Sequence, residues 1–294
     1  MTDITAPPAT GVVVAQPGYS AELPPWRLLL RRPTFLVGAA ILLFWVVCAI
    51  FGNAIAPHDP LAQQLLATNQ PPSAAHWFGT DQLGRDVFSR IVAGVRYILL
   101  VSLLATVLGT VLGTAIGLVM GYLGGVADIV VGRLIEAVLA FPLVVLAFLF
   151  VVALGTSPPV IIFVVGFVFT PIIARTVRSA VLVESQLDYL SSARLLGEKP
   201  AYIMFTEITP NVLPTVLVEF TVRLGYAIFT IAALSFLGFG IQPPTADWGA
   251  DIAANYVTLG AGYWWQTLFA ALAIASLVIA INLVTDSIEQ VLAS

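Results

Sequence analysis

Two pairs of opposite charge stand inside apolar stretches of this chain. Glu219 and Arg223 are four residues apart, and Arg133 and Glu136 are three apart. On a helix either spacing puts both side chains on one face. A charge at mid-bilayer costs about 2.5–3.5 kcal/mol on insertion scales, so each pair has one of two meanings. It is a self-neutralising ion pair, or it presents charge to polar material crossing the membrane. Both meanings stay open here. His58 and His76 share one loop, without the spacing of a metal-ligand cluster, and read as isolated, ordinary loop residues. Cys48 is the single cysteine, which excludes an internal disulfide or a cysteine-based metal site. No serine and histidine are placed as a nucleophile pair. The one lysine, Lys199, lies in "GEKP", and no G-x-x-x-x-G-K-[ST] loop occurs. The chain therefore holds no nucleotide site of that kind, and no cofactor is expected in it.

The elements that carry these residues are membrane helices. Of 294 residues, 59% are hydrophobic and 10% charged, with a mean hydropathy of +0.99. Soluble domains carry roughly 25% charge. No charge occurs between Arg32 and Asp59, Arg96 and Asp128, Glu136 and Arg175, or Asp251 and Asp286. About 20 apolar residues span a bilayer as a helix. Six spans are expected, near 35–55, 97–122, 129–154, 158–181, 212–237 and 264–284. "GTSPP" (155–159) reads as the tight turn between the third and fourth. The net charge of -4 gives no reason to expect nucleic acid as a partner. Residues 1–30, with five prolines, read as a flexible tail, not a signal peptide.

Arginine and lysine orient the spans. With the N-terminus inside, Arg27, Arg31, Arg32, Arg133, Arg175, Arg178, Arg194 and Lys199 lie on the cytoplasmic side, and Arg85, Arg90 and Arg96 outside. Both termini are then cytoplasmic. Two stretches lie outside. In the first, "FGTDQLGRDVFSRIVAGVR" (78–96) reads as an amphipathic helix with Val87, Phe88, Ile91, Val92 and Val95 on one face, and with Asp86 and Arg90 paired one turn apart. The second runs up to Tyr263, Trp264 and Trp265, which mark a membrane interface. Gly109, Gly113, Gly117 and Gly121 recur every four residues, a pattern that lets helices pack closely.

The cytoplasmic stretch "DYLSSARLLGEKPAYIMFTEITPN" (188–211) reads as helix, glycine turn, helix. The bend is at Gly197, Pro200 opens the second helix, and Pro210 and Pro214 punctuate the start of span five. Ile203, Phe205 and Ile208 would supply apolar contacts. Residues alone leave a choice between a loop that caps the bundle and a docking element.

This stretch resembles the cytoplasmic EAA loop of ABC-importer permeases, in which a glycine sits between two short helices. "FGTDQLGRDVFSRIVAGVR", "GYLGGVAD" (121–128), "LAFP" (139–142) and "LSFLGFGIQPPTADWG" (234–249) resemble the C-type subunit of dipeptide and oligopeptide permeases, in that family's order. The resemblance covers about residues 31–293. It implies an all-α type I ABC importer permease in the bacterial cell membrane, divided as tail 1–30, first helix and external segment 31–96, and permease core 97–294 with a coupling loop at 184–210. It implies several partners: a second, B-type permease, one or two P-loop ATPase subunits that bind ATP and Mg, an extracytoplasmic substrate-binding protein, and a di- or oligopeptide substrate. Asp188, Ser191, Ser192, Ala193, Gly197, Glu198, Lys199 and Pro200 would meet the ATPase, and Glu219 and Arg223 would face the translocation path. Ser191-Ser192-Ala193 replaces the family's Glu-Ala-Ala, with Asp188 one turn earlier as a substitute acid. Nickel, haem or another small solute as cargo stays open, as does an ion-gradient secondary transporter.

Overall fold

The computed structural model describes residues 28–292; Arg27 and most of the expected tail lie outside the described residues. Among the described residues the fold is helical, without strands. Helix α1 is Pro33–Ile55, opened by Pro33 in its first turn. Helix α2 is Val87–Leu123, α3 Gly125–Leu139, α4 Leu143–Leu154 and α5 Pro158–Glu184. Helix α6 is Asp188–Leu195. Helix α7 runs over Pro200–Phe236, with a π-helical stretch at Ile203–Ile208. A short α8, Trp248–Asn255, precedes α9, Trp265–Leu292. Among the described residues, five helices are long and apolar enough to cross a membrane, and the bent pair α3–α4 makes a sixth span if counted as one.

Several expectations change. The third span is not one helix: α3 and α4 meet at 90°. Pro142 cannot continue the α3 hydrogen-bond ladder, and its extended backbone becomes the N-cap of α4. The amphipathic segment is not separate from span two. Residues 78–86 form a compact loop, and from Val87 onward the helix continues unbroken through Arg96 into the membrane. The boundary drawn between 96 and 97 thus falls inside α2. Pro210 and Pro214 do not break the chain before span five, because α7 absorbs both after its π-helical stretch. Side chains take up backbone acceptors in this region: the Thr209 hydroxyl donates to Met204 O at 2.7 Å and the Asn211 amide to Glu207 O at 3.0 Å.

The core seam lies between α2 and α5. A Cβ on Gly109 would come within 2.8 Å of the Gly166 carbonyl, and one on Gly117 within 2.7 Å of the Ala174 carbonyl. Gly113 and Gly121 face Ile173 and Val181 at 2.7 Å in the same sense. The glycine stripe therefore joins spans two and four of this chain, as small-residue packing requires. Helix α1 lies against α2 and α9, where Gly38 meets the Ala280 carbonyl. Its start is tied to the end of α9 by Arg32 with Gln290 and by Thr34 with Ser287 at 3.1 Å. The membrane helices alternate in direction, so these two ends lie at the same end of the bundle as the bend at Gly197.

Candidate functional site

The bend is built by its own capping. The Gly197 N–H donates to Arg194 O at 3.1 Å and the Glu198 N–H to Ala193 O at 3.2 Å. This is the Schellman arrangement, which needs a left-handed residue at the first position past the helix cap. Gly197 supplies it with φ of +80°. Lys199 is extended, as a residue before proline should be, and Pro200 opens α7. Asp188 in the first turn of α6 and Arg194 in its last turn suit the helix dipole.

Three contacts hold the bend to the bundle. Leu190, Ile203 and Ile208 are fully buried. The Tyr189 hydroxyl donates to Glu184 at 2.5 Å and accepts from Asn211 at 2.8 Å. Burial, then the Glu184 hydrogen bond, raises the Tyr189 phenol above its ordinary value, so it stays a donor. The Arg194 guanidinium sits 5.1 Å over the Tyr122 ring at the end of α2, a cation–π contact.

The rest of the bend is uncovered. Asp188, Ser191, Ser192, Gly197, Glu198, Lys199 and Pro200 are exposed, and Ala193 is half-buried. No atom would lie within 4 Å of a Cβ on Gly197. Leu195 and Leu196 are 89% and 82% exposed. Phe205 is also exposed, so it supplies no internal contact, unlike Ile203 and Ile208. The reason is spacing: two residues after Ile203, Phe205 falls on the opposite face of the helix.

The two membrane pairs differ from each other. Arg133 and Glu136 meet at 2.9 Å while largely exposed. Arg223 donates to Glu219 at 2.9 Å, and Thr176 of α5 donates to the other Glu219 oxygen at 3.0 Å. Arg223 also lies 5.3 Å over the Tyr226 ring. This cluster is nearly covered and links α5 to α7. A cavity of about 270 Å³ opens beside α3, lined by Asp128, Arg133, Glu136, Arg175 and Arg178 among others. Arg178 clamps Asp128 there through two bonds of 2.5 and 2.6 Å.

At the opposite end of the bundle the loop before α2 and the segment around α8 are welded together. Arg90 does not pair with Asp86; it grips Asp251, 161 residues away, at 2.6–3.1 Å. It also reaches the Pro60 carbonyl at 3.1 Å. Asp86 instead caps α2 by accepting from the Ser89 N–H. Trp248 donates to Ile91 O at 2.8 Å. Trp265 is buried and donates to Thr80 O at 3.1 Å, so it does not mark the interface, while Trp264 stays half-exposed. His58 and His76 are not isolated: their rings stand 4.7 Å apart beside Asp86. None of these long-range pairs has a local signal. The one clue is that Asp251 has no opposite charge near it in sequence.

The profile of the family described as binding-protein-dependent transport system inner membrane component matches residues 113–294. The chain belongs to this family. It is an ABC importer permease and a multi-pass membrane protein. A second profile, the N-terminal TM domain of oligopeptide transport permease C, matches residues 25–72 of this permease. The permease is 35% identical over 279 residues to the dipeptide transport system permease protein of Bacillus subtilis, covering 95% of this chain and 87% of that protein. It is 35% identical over 267 residues to a probable D,D-dipeptide transport system permease of Escherichia coli K12, covering 90% and 89%. It is also 35% identical over 272 residues to a glutathione transport system permease of Pectobacterium atrosepticum, covering 91% and 89%.

Proposed function

We propose that this permease forms half of a translocation path for di- or oligopeptides and is driven by a separate P-loop ATPase that docks at the Gly197 bend. A single observation carries the docking: Leu195 and Leu196 are exposed beside Gly197, in a segment too polar to lie in lipid. Exposed apolar side chains of this kind mark a protein contact. Force applied there reaches α2 through Arg194 on Tyr122, and α5 through Tyr189 on Glu184. The bend, the start of α1 and the end of α9 then face the cytoplasm of a bacterial cell. A second, related permease supplies the other wall, and an extracytoplasmic binding protein delivers cargo to the outer segments. ATP and Mg belong to the partner.

Peptide cargo rests on the relatives, whose stated substrates are dipeptides, D,D-dipeptides and glutathione. These share amide bonds and charged ends. The Glu219–Arg223 pair, though nearly covered within this chain, would put both signs of charge beside the path. The assembly should be purified from its host with a non-histidine tag, and its co-purifying chains identified. A second permease and a P-loop ATPase, with hydrolysis stimulated by a dipeptide-loaded binding protein, are expected. In the variant Glu219→Leu with Arg223→Leu, assembly should persist while dipeptide uptake falls at least about tenfold, the worth of one charged interaction with the cargo. Unaltered uptake would remove the pair from the path, and a chain purified with no ATPase would remove the docking.

A further inference from the structure

We propose that His58, His76 and Asp86 form a site for a divalent first-row transition cation of the zinc class, clipping together the outer ends of α1 and α2. The three residues come from three different segments. His58 follows the end of α1 by three positions, His76 lies in the loop, and Asp86 is the N-cap of α2. Their ligand atoms lie within 4.8 Å of one another. Two imidazoles and one carboxylate are the donor set that suits zinc, and the single carboxylate partly neutralises the ion.

The distances fit. The Asp86 Oδ1 is 2.9 Å from the His76 Nδ1 and 3.7 Å from the His58 Nδ1. A tetrahedral ion with bonds of about 2.0–2.1 Å sets its ligand atoms about 3.3 Å apart. Each of these two pairs would have to move by roughly 0.4 Å to meet that geometry, and the two histidine nitrogens, within 4.8 Å of each other, would close by at most about 1.5 Å. The His58 Nδ1 is buried and has no hydrogen-bond partner, although this carboxylate is its neighbour. A buried polar atom left unpaired is costly, and a cation between the rings would satisfy it.

The surroundings hold the ligands still. The Ser89 N–H and hydroxyl donate to the other Asp86 oxygen at 2.8 and 2.6 Å, which leaves Oδ1 facing the two histidines. The His58 backbone N–H donates to the Ser89 hydroxyl at 3.2 Å, and the His76 backbone N–H to the Ser73 hydroxyl at 3.1 Å, which fixes the chain that carries each ring. The Ser89 bonds to Asp86 orient the carboxylate itself, as outer partners of metal ligands do. Binding moves the His76 proton from Nδ1 to Nε2, with no net change in charge on the ring. The His58 side chain is 34% exposed, which gives a cation a route in, and a tetrahedral ion would take one water as its fourth ligand. The site stands whatever the cargo proves to be.

The test uses the full chain in detergent micelles, with a non-histidine tag, stripped by a chelator and titrated with Co²⁺ alone and then Zn²⁺ alone. One Co²⁺ per chain with the visible absorption of tetrahedral coordination is expected, displaced by Zn²⁺. Zn²⁺ should also raise the thermal midpoint. His58→Ala should weaken both ions at least about tenfold, the loss seen even for outer-shell changes. His58 makes no side-chain hydrogen bond, so this variant should fold. The absence of a saturable Co²⁺ signal, or equal affinity in His58→Ala, would overturn the site.

Discussion

The two ends of this permease invert the usual rule of burial. At the end that the proposed orientation places outside, Asp81, Arg85, Asp86, Arg90, Asp247, Asp251 and Gln266 are buried, each with a partner in the chain. At the Gly197 bend, Leu195, Leu196 and Phe205 are exposed. Buried polar groups are tolerated where their hydrogen bonds are complete. Exposed apolar groups outside lipid await a surface that covers them. The buried charged groups at the first end are thus satisfied within the chain, although Leu65 and Leu66 stay exposed there, whereas at the bend it is the apolar groups that are left for a partner. The outer end should therefore fail when its internal bonds are cut. The bend should lose coupling while the fold survives.

The largest effect belongs to Arg90. It is 4% exposed and bonded to Asp251, Pro60 and neighbouring carbonyls. Arg90→Ala strands a buried carboxylate and should lower stability by about 3–5 kcal/mol. Cys48, the only thiol and a buried one, gives the readout, because labelling it requires opening the fold. Replacing both partners, Arg90→Met with Asp251→Leu, should recover most of the loss, because no charge is then left unpaired. If Arg90→Ala labels no faster than the parent, the outer end is not held by this pair.

Asp247 gives the next effect, and it depends on pH. Burial raises its carboxyl to about 6, against hydrogen bonds from Ala250 and Ser235 that lower it. The folded chain thus keeps this proton at a pH where the unfolded chain has lost it. Stability from this group is greatest below about pH 4, falls as pH rises toward 6, and is flat above, a change of about 1–3 kcal/mol. Asp247→Asn keeps the cap on α8, since Asn caps as well as Asp. It should flatten the midpoint-against-pH curve between pH 4 and 6. A slope equal to the parent's would assign the titration to another group.

What was legible in the sequence follows the same division. The bend could be read because its causes are local: Gly197 must be left-handed, Pro200 must open a helix, and both rules act within a few residues. The glycine stripe was legible for the same reason. The outer end was not. Arg90 has an acid four residues before it and another 161 residues after it, and sequence spacing favours the first. Asp86 is drawn off because the first N–H groups of α2 need an acceptor, which frees Arg90 for Asp251. His58 and His76 converge only because the loop folds back, with the Thr80–Asp86 bridge closing it. The break in span three was written in "FP" at 141–142, yet the unbroken apolar run masked it.

The smallest change in stability should come with a large change in function. Gly197→Val forces a β-branched residue into the left-handed region, which costs about 1–2 kcal/mol. The added side chain meets nothing in this chain, so no steric cost within the fold adds to that strain. The thermal midpoint should fall only modestly, far less than for Arg90→Ala. In the assembled transporter the same side chain stands where a partner would approach the backbone. ATP hydrolysis should then continue while uptake per ATP falls sharply, measured on reconstituted vesicles with loaded binding protein. If uptake per ATP stays at the parent's value, the open face of Gly197 is not a contact, and the exposed Leu195 and Leu196 need another explanation. If the midpoint falls as far as for Arg90→Ala, the bend is part of the folded core and the contrast between the two ends fails.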